Sequence, residues 1–206
     1  MTRGADPGDG DALAYLRRIY RLKTLPREGW VRLDVGAPES VADHTWGTAA
    51  LCLAFADAAG VEVGEALEIA VAHDLAECET GDVATTDVGL DADARARRDA
   101  AKAEAEAAAM AALAALPGDL PSAAARARIV ARWRAYEGRA SEAARFVRDM
   151  NLVDMALQAR LYAEATGDAA VGGPVPPPFE EFLASAEARA TTAVGRSLLA
   201  HVRRGG

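Results

Sequence analysis

Apolar residues recur at three- and four-residue spacing along most of this chain, and glycine or proline interrupts the pattern at intervals. This spacing is typical of amphipathic α-helices, because steps of three and four residues return to the same helix face. Strand-like alternation is minor or absent. The pattern therefore predicts an all-α fold, a bundle of about six to seven helices. The expected helices lie at about 12–23, 40–59, 63–78, 92–116, 121–136, 140–165 and 179–203.

The length of the chain favours a single domain over 1–206, because a soluble chain of this size usually buries one core. Glycine and proline near the start predict a flexible tail over 1–9. The segment GGPVPPP predicts a stiff connector before a C-terminal extension helix within 172–206. Further non-helical segments are expected at 24–40 and 81–89.

Charge and composition exclude several classes of partner. The net charge of −8 disfavours duplex nucleic acid, because phosphate contacts need clustered lysine and arginine. The basic run from Arg95 to Lys102 is expected to be a solvated helix face. No apolar stretch is long enough to span a membrane. Cys52 and Cys78 are too few for a disulfide framework, and no apolar leader precedes them, so we expect a cytoplasmic protein.

Two of the three histidines lie beside carboxylates on apolar helical patterns. His44 falls in the apolar line of the second expected helix, and His73 is followed directly by Asp74 on the third. A core-facing carboxylate is costly unless a cation, a donor network or a metal replaces its hydration. A divalent metal bound by these three residues would meet that cost. The alternative is a hydrogen-bonded His-Asp pair beside a core histidine.

Four segments make the resemblance to a known family specific. They are LKTLPREGWV, PESVADHTW, AVAHDLAECETGD and RFVRDMNLVDMALQARLY, and they span Leu22 to about Tyr162. In this order and spacing the chain resembles the HD-domain phosphohydrolase superfamily, in particular its 5′-deoxynucleotidase group. The resemblance implies an HD-domain helical bundle. It also implies an enzyme that removes phosphate from nucleoside 5′-monophosphates, with deoxynucleotides as the expected substrates, by a metal-activated water.

The resemblance also implies a metal-ligand set. The family's second-helix histidine and its His-Asp pair match His44, His73 and Asp74. The family's late aspartate falls on Asn151, whose neutral oxygen is a weaker ligand than a carboxylate. Asp154, one helical turn further on, is the alternative fourth ligand, and we favour Asn151. The expected cofactor is one divalent ion, which could be Mn, Co, Mg, Fe, Ni or Zn.

Catalytic and substrate-binding roles follow from the same resemblance. Glu77 matches a carboxylate that transfers a proton near the scissile ester, and Asp82 matches one that positions the attacking water. Trp30 matches an aromatic residue of the substrate pocket, and Arg27 and Arg32 are nearby cations suited to phosphate. Taken alone, Glu77 and Asp82 would be a helix end and a turn residue, and Trp30 would be a core residue.

Two alternatives to the monophosphatase remain at this point. One is a nucleoside triphosphate triphosphohydrolase, because the same ligand set serves both reactions in the superfamily. The other is a catalytically weakened nucleotide-binding or regulatory protein, because Asn151 stands where the family has a carboxylate. The expected partners are a nucleotide or another small phosphate ester, with no duplex nucleic acid and no membrane. Family members also suggest a homodimer.

Overall fold

The computed structural model describes residues 7–84, 91–116 and 121–205, with side chains described from Ala12 onward. Within these ranges every regular element is a helix, which confirms the all-α prediction. None of the described helices is long and apolar enough to cross a membrane. The elements are α1 (Pro7–Ile19), a 3₁₀ helix (Tyr20–Lys23), α2 (Glu28–Arg32), α3 (Val41–Ala59), α4 (Val63–Ala72), α5 (Glu77–Thr80), α6 (Ala92–Ala114), α7 (Ala123–Gly138), α8 (Glu142–Ala165), α9 (Glu180–Arg189) and α10 (Ala193–Arg204).

The described helices outnumber the six to seven expected ones, because short helices were not visible in the periodicity. The five-residue α2 lies inside the expected connector 24–40. The helix expected at 63–78 is divided into α4 and α5. At this break Nδ1 of the His73 ring binds the carbonyl oxygen of Ala70 (2.6 Å). In a continuing helix a backbone amide of the next turn would bind that oxygen instead.

The ends of the chain also differ from expectation. α1 begins at Pro7, within the expected tail, because proline suits the first turn of a helix. The rest of that tail, and most of the loop expected at 81–89, lie outside the described residues. The helix expected at 179–203 is two helices, because the hydroxyl of Thr192 accepts a hydrogen bond from the amide of Gly195 and starts α10.

The described residues group into two compact units, each made of two separate segments of the chain. The first unit comprises Met1–Ala42 and Asp74–Trp133, as far as these are described. The second comprises Asp43–His73 and Arg134–Gly206. The single domain over 1–206 stays a prediction.

In the first unit, α5 packs against α6 and against the 3₁₀ helix. One face of α6 is buried at the spacing of successive turns, through Glu106, Met110 and Leu113. Lys102 lies one turn before Glu106 and therefore on the same face of α6, the face that packs against α5. The apolar core of this unit consists of Tyr15, Leu22, Val41, Ala76, Cys78, Ala109, Met110, Leu113 and Trp133.

In the second unit, α8 is the central helix and packs against α4, α9 and α10. Its buried stripe includes Phe146, Met150 and Val153. Asn151 and Asp154 lie on α8 beside this stripe, so a rigid, well-packed element fixes their positions.

Two buried charged side chains of α8 hold α10 at both ends. Asp149, 1 % exposed, accepts hydrogen bonds from the backbone amides of Thr191 (3.0 Å) and Thr192 (2.6 Å) at the start of α10. Arg160, 4 % exposed, donates to the carbonyls of Val202 (2.6 Å) and Arg203 (2.8 Å) near its end. A carboxylate at the amino end and a guanidinium at the carboxyl end both complement the helix dipole.

Candidate functional site

The two histidines singled out in the sequence come together in the second unit. His44 on α3 is fully buried, and His73 at the end of α4 is 2 % exposed. Their rings meet edge to face with centroids 5.4 Å apart. The inward direction expected for His44 is confirmed.

The hydrogen bonds at Nδ1 determine the tautomer of each ring. Nδ1 of His73 faces the carbonyl oxygen of Ala70 at 2.6 Å, and Nδ1 of His44 faces Oδ2 of Asp154 at 2.7 Å. A carbonyl oxygen and a carboxylate can only accept, so each Nδ1 carries the hydrogen. The neutral rings therefore keep their lone pairs on Nε2, which is the form that binds a metal.

A glycine on α3 makes the His44 to Asp154 contact possible. A Cβ placed on Gly47 would lie 2.9 Å from Cγ of Asp154 and closer still to its Oδ1. Any side chain at position 47 would therefore push the carboxylate of α8 away from α3. Glycine in a helix interior costs about 1 kcal/mol relative to alanine, and here it permits a close approach.

Tyr136 links Asn151 to His73. The amide nitrogen of Asn151 donates to the hydroxyl of Tyr136 at 3.0 Å. The ring of Tyr136 packs against the ring of His73, with centroids 5.1 Å apart. With the amide nitrogen facing Tyr136, the side-chain oxygen of Asn151 is the atom suited to a cation.

The first unit gathers the carboxylates that the sequence singled out around one arginine. A guanidinium nitrogen of Arg27 lies 3.6 Å from Oδ2 of Asp74 and 3.4 Å from Oδ1 of Asp82. Asp82 also accepts a hydrogen bond from the backbone amide of Glu28 (2.7 Å), at the first turn of α2. The side chains of Arg27 and Asp82 are only 16 % and 7 % exposed, so screening by water is limited.

Glu77 is the most deeply buried carboxylate of this group, at 2 % exposure. Burial raises its pKa well above the ordinary value, and the neighbouring carboxylates of Asp74 and Asp82 raise it further. Lys102 lies 3.3 Å from its Oε1 and, together with Arg27, acts in the opposite direction. A buried carboxyl with a raised pKa is suited to donate a proton near neutral pH.

The remaining two candidates lie apart from these contacts. Arg32 is half exposed and pairs with Glu28 one turn earlier in α2, at 3.1 Å. Trp30 is 2 % exposed, and its indole nitrogen donates to Glu39 at 2.8 Å. The structure therefore brings Arg27, and not Arg32, to the carboxylates.

The donor set is suited to a divalent metal ion. His44 and His73 are in the Nε2 lone-pair form, and Asp74 follows His73 directly in the chain, which makes a His/Asp donor set. Imidazole nitrogens with carboxylate oxygens bind several divalent first-row metals, so the residue types do not distinguish among them.

Sequence reasoning missed Lys102, Glu106 and Tyr136. The expectation that the basic run ending at Lys102 is a solvated face is wrong for Lys102, whose side chain is 23 % exposed and pairs with buried carboxylates. The missed signal was spacing, because Lys102 precedes Met110 by two turns and so shares the face of α6 that meets the core. For Tyr136 the sequence offered no comparable signal.

Comparisons with known proteins identify the family of this chain. A family model described as HD domain matches residues 19–172. The chain is 34 % identical over 162 residues to 5′-deoxynucleotidase HDDC2 of Mus musculus, covering 78 % of this chain and 74 % of that protein. It is 32 % identical over 158 residues to the Homo sapiens protein of the same name, covering 76 % and 71 %.

Solved structures share the fold. The PH0347 protein from Pyrococcus horikoshii OT3 superposes with a TM-score of 0.70 at 27 % identity, over 94 % of this chain and 99 % of that one. A structure described as a predicted metal-dependent phosphohydrolase from Magnetospirillum magnetotacticum MS-1 has a TM-score of 0.61 at 23 % identity, over 97 % and 98 %. At that identity the second likeness shows the fold alone.

Proposed function

The chain belongs to the HD domain family, and on that premise we propose that it is a metal-dependent phosphohydrolase that removes phosphate from nucleoside 5′-monophosphates. The names of the HDDC2 relatives, which are 5′-deoxynucleotidases, make deoxynucleotides the first substrates to test. The observation that carries the proposal is the pair of buried histidines whose Nδ1 atoms are both held by acceptors. In this tautomer Nε2 is the metal-binding atom of each ring, and donor atoms of His44, His73 and Asp74 lie within 4.8 Å of one another.

The proposed metal ligands are His44, His73, Asp74 and Asn151. Asp154 accepts a hydrogen bond from Nδ1 of His44 (2.7 Å). This contact supports a role in orienting His44 over the alternative role as the fourth metal ligand. When bound, the divalent ion would lower the pKa of a water molecule and screen the charge of the phosphate.

Residues of the first unit are proposed to bind the substrate and to orient the attacking water. Arg27 is the proposed phosphate cation, because its guanidinium is already placed among carboxylates that keep it charged and oriented. Asp82 is proposed to orient the attacking water, and Trp30 to line the substrate pocket. Arg32, paired at the surface with Glu28, is the weaker candidate for substrate binding.

Glu77 is the proposed proton donor. Attack by water forms a new phosphorus–oxygen bond and breaks the bond from phosphorus to the 5′-oxygen of the nucleoside. The leaving oxygen needs a proton, and burial favours the protonated form of Glu77, which can supply it. The products are the nucleoside and inorganic phosphate.

The test is release of phosphate from a panel of nucleoside mono-, di- and triphosphates with Mn²⁺, Co²⁺, Mg²⁺ or no added metal. The loss-of-ligand variants are His73→Ala and Asp74→Ala. The matched control is His201→Ala, because His201 is exposed and lies near the end of α10. We expect metal-dependent phosphate release from monophosphates, abolished in both ligand variants and retained in the control.

Other outcomes distinguish the alternatives. Release of inorganic triphosphate from triphosphates would identify the triphosphohydrolase variant. Nucleotide binding without turnover in the presence of any of the metals would contradict the proposed enzyme activity. It would support the alternative of a catalytically weakened nucleotide-binding or regulatory protein. In that case Asn151→Asp should restore activity, because it replaces a neutral ligand by the carboxylate of the family.

We also propose a cytoplasmic homodimer. Trp46 and Leu53 are 75 % and 63 % exposed and lie seven residues apart on one face of α3, and exposed apolar side chains of this kind often mark protein contacts. Cys52 and Cys78 are free and buried, which suits a reducing compartment. Light scattering after gel filtration tests the dimer, and Trp46→Glu should then convert it to a monomer.

A further inference from the structure

Lys102 has an unusual environment for a lysine. Its ammonium nitrogen lies 3.3 Å from Oε1 of Glu77 and 2.9 Å from Oε1 of Glu106, and its side chain is 23 % exposed. Both carboxylates are buried, with Glu77 2 % and Glu106 5 % exposed. The ammonium therefore joins two buried carboxylates on α5 and α6.

The choice of lysine at this position is itself informative. The sequence contains 2 lysines and 21 arginines, so arginine is the ordinary cation of this chain. A planar guanidinium is suited to two-pronged contacts, whereas an ammonium is compact and can donate to separate acceptors in different directions. Lys102 makes the second kind of contact.

The two oxygens of Glu77 have different surroundings. Oε1 faces the ammonium of Lys102. Oε2 is buried and has no hydrogen-bond partner among the described residues. A buried carboxylate oxygen without a donor is rare, and at a functional site it points to a group that arrives with the ligand.

Resting on the function proposed above, we propose that Lys102, braced by Glu106, is a positioning residue that holds Oε1 of Glu77 and so presents Oε2 to the reacting ester. An ammonium can only donate, so a proton on Oε1 would oppose the hydrogen atoms of Lys102. The contact therefore determines which oxygen of Glu77 can carry and deliver the proton. Glu106 holds the ammonium through a second contact of 2.9 Å.

A direct test is a pair of crystal structures, of the wild-type protein and of Lys102→Met. We expect one orientation of the Glu77 carboxylate in the wild type and a rotated or split carboxylate in Lys102→Met. An unchanged Glu77 carboxylate in the variant would overturn the proposal. This result does not depend on any activity, so it stands even if the proposed substrate class is wrong.

The kinetic test uses the double-mutant cycle of Lys102→Met and Glu77→Gln with a deoxynucleoside monophosphate. Lys102→Met should lower kcat about 10- to 100-fold with little change in KM, because misplacement of a catalytic group by about 1 Å costs this much. Lys102→Arg should recover only part of the loss. Arg97→Met, which removes a charge from an exposed position of α6, should have wild-type kinetics.

The cycle separates positioning from a direct role. If Lys102 acts through Glu77, Lys102→Met should add almost nothing to the defect of Glu77→Gln. Additive losses, or a rise in KM alone, would show that Lys102 meets the substrate itself and would overturn the proposal. An inactive wild-type protein would refute the proposed function and leave the crystal structures to decide the role of Lys102.

Discussion

At the residue scale, the tautomers of His44 and His73 are determined by the oxygen atoms that accept their Nδ1 hydrogens. Each ring gives its Nδ1 hydrogen to an oxygen, one on the Asp154 carboxylate and one on the Ala70 carbonyl. The carboxylate is the stronger acceptor, so the hydrogen bond behind His44 is the stronger of the two. The two histidines are therefore not equivalent as ligands.

Asp154→Asn should weaken metal binding about tenfold while the protein stays folded, because the amide is a poorer acceptor for the His44 hydrogen. Titration calorimetry with Mn²⁺ or Zn²⁺ measures the affinity directly. Asp57→Asn is the control, since it removes one negative charge from an exposed position of α3. Equal affinity in Asp154→Asn and wild type would refute the positioning role of Asp154.

The sequence was most informative for residues whose type is rare and whose spacing is regular. Histidine occurs three times in the chain, so His44 and the His73-Asp74 pair were visible as candidates. Lys102 was hidden because it ends a run of exposed basic residues, and only its partners on α5 and α6 reveal its direction. The contact of Asn151 with Tyr136 depends on the packing of α7 and α8, which a single sequence does not encode in any local pattern.

At the element scale, the approach of α8 to α3 depends on a missing side chain. Gly47 leaves room for the Asp154 carboxylate, and a methyl group there would overlap it. From the sequence alone, this glycine only weakens the prediction of α3. In the structure it is the condition for the hydrogen bond to His44.

Gly47→Ala should lower the free energy of unfolding by about 1–3 kcal/mol, because relief of the overlap must move α8 or turn Asp154 away. It should also weaken metal binding, as Asp154→Asn does. Gly138→Ala is the matched control, since no atom lies within 4 Å of its added methyl group. That variant should be neutral or more stable by up to about 1 kcal/mol. Urea unfolding measures both, and equal stability of the two variants would contradict the packing argument.

The two ends of α10 depend on buried charges of opposite sign. Asp149→Ala removes the acceptor of the Thr191 and Thr192 amides, and Arg160→Met leaves carbonyls of the last turn without their donor. We expect each to lower the free energy of unfolding by about 2–4 kcal/mol, because a buried partner stays behind.

Thermal unfolding should show this as a fall in Tm of about 2–4 °C per kcal/mol. Arg204→Met serves as the control, because it removes a positive charge from an exposed position on α10. A similar Tm for Arg160→Met and Arg204→Met would mean that the carbonyl contacts contribute little.

Helix ends were the least predictable part of the fold. Periodicity located the long helices α3, α6 and α8 to within a few residues. It merged α4 with α5 and α9 with α10, because those breaks come from hydrogen bonds of His73 and Thr192 and not from glycine or proline. Helix ends of this kind are determined by side chains that compete with the backbone for hydrogen bonds.

At the scale of the whole molecule, the sequence predicts the helical class well and the grouping of helices poorly. The two compact units are each discontinuous in sequence, and periodicity reports only local structure. Composition did predict the small number of large core residues, since alanine fills much of the buried surface of α4 and α8.

The stability of the metal-free protein should depend on the ionisation of Glu77. Its pKa is raised in the folded state by burial and then by Asp74 and Asp82. The stability that comes with the neutral carboxyl is fully present below the ordinary glutamate pKa and is lost as the pH rises through the raised value. Relative to Glu77→Gln, the wild type should therefore become less stable from about pH 5 upward, with a limiting slope of about 1.4 kcal/mol per pH unit.

Urea unfolding of both proteins at a series of pH values, with a chelator present, measures this difference. The glutamine variant supplies the control, because it keeps the shape of the side chain and cannot ionise. A constant difference between the two proteins across the pH range would show that Glu77 ionises normally in the folded state.

The contacts at both ends of α10 should also make the length of this helix critical. Asp149 and Arg160 are eleven residues apart on α8, and the residues they bind, Thr192 just before α10 and Arg203 near its end, are also eleven apart. One residue inserted into α10 would shift its far carbonyls by about 1.5 Å and rotate them by about 100°, out of reach of Arg160. Insertions and deletions within the last helix should therefore be rejected.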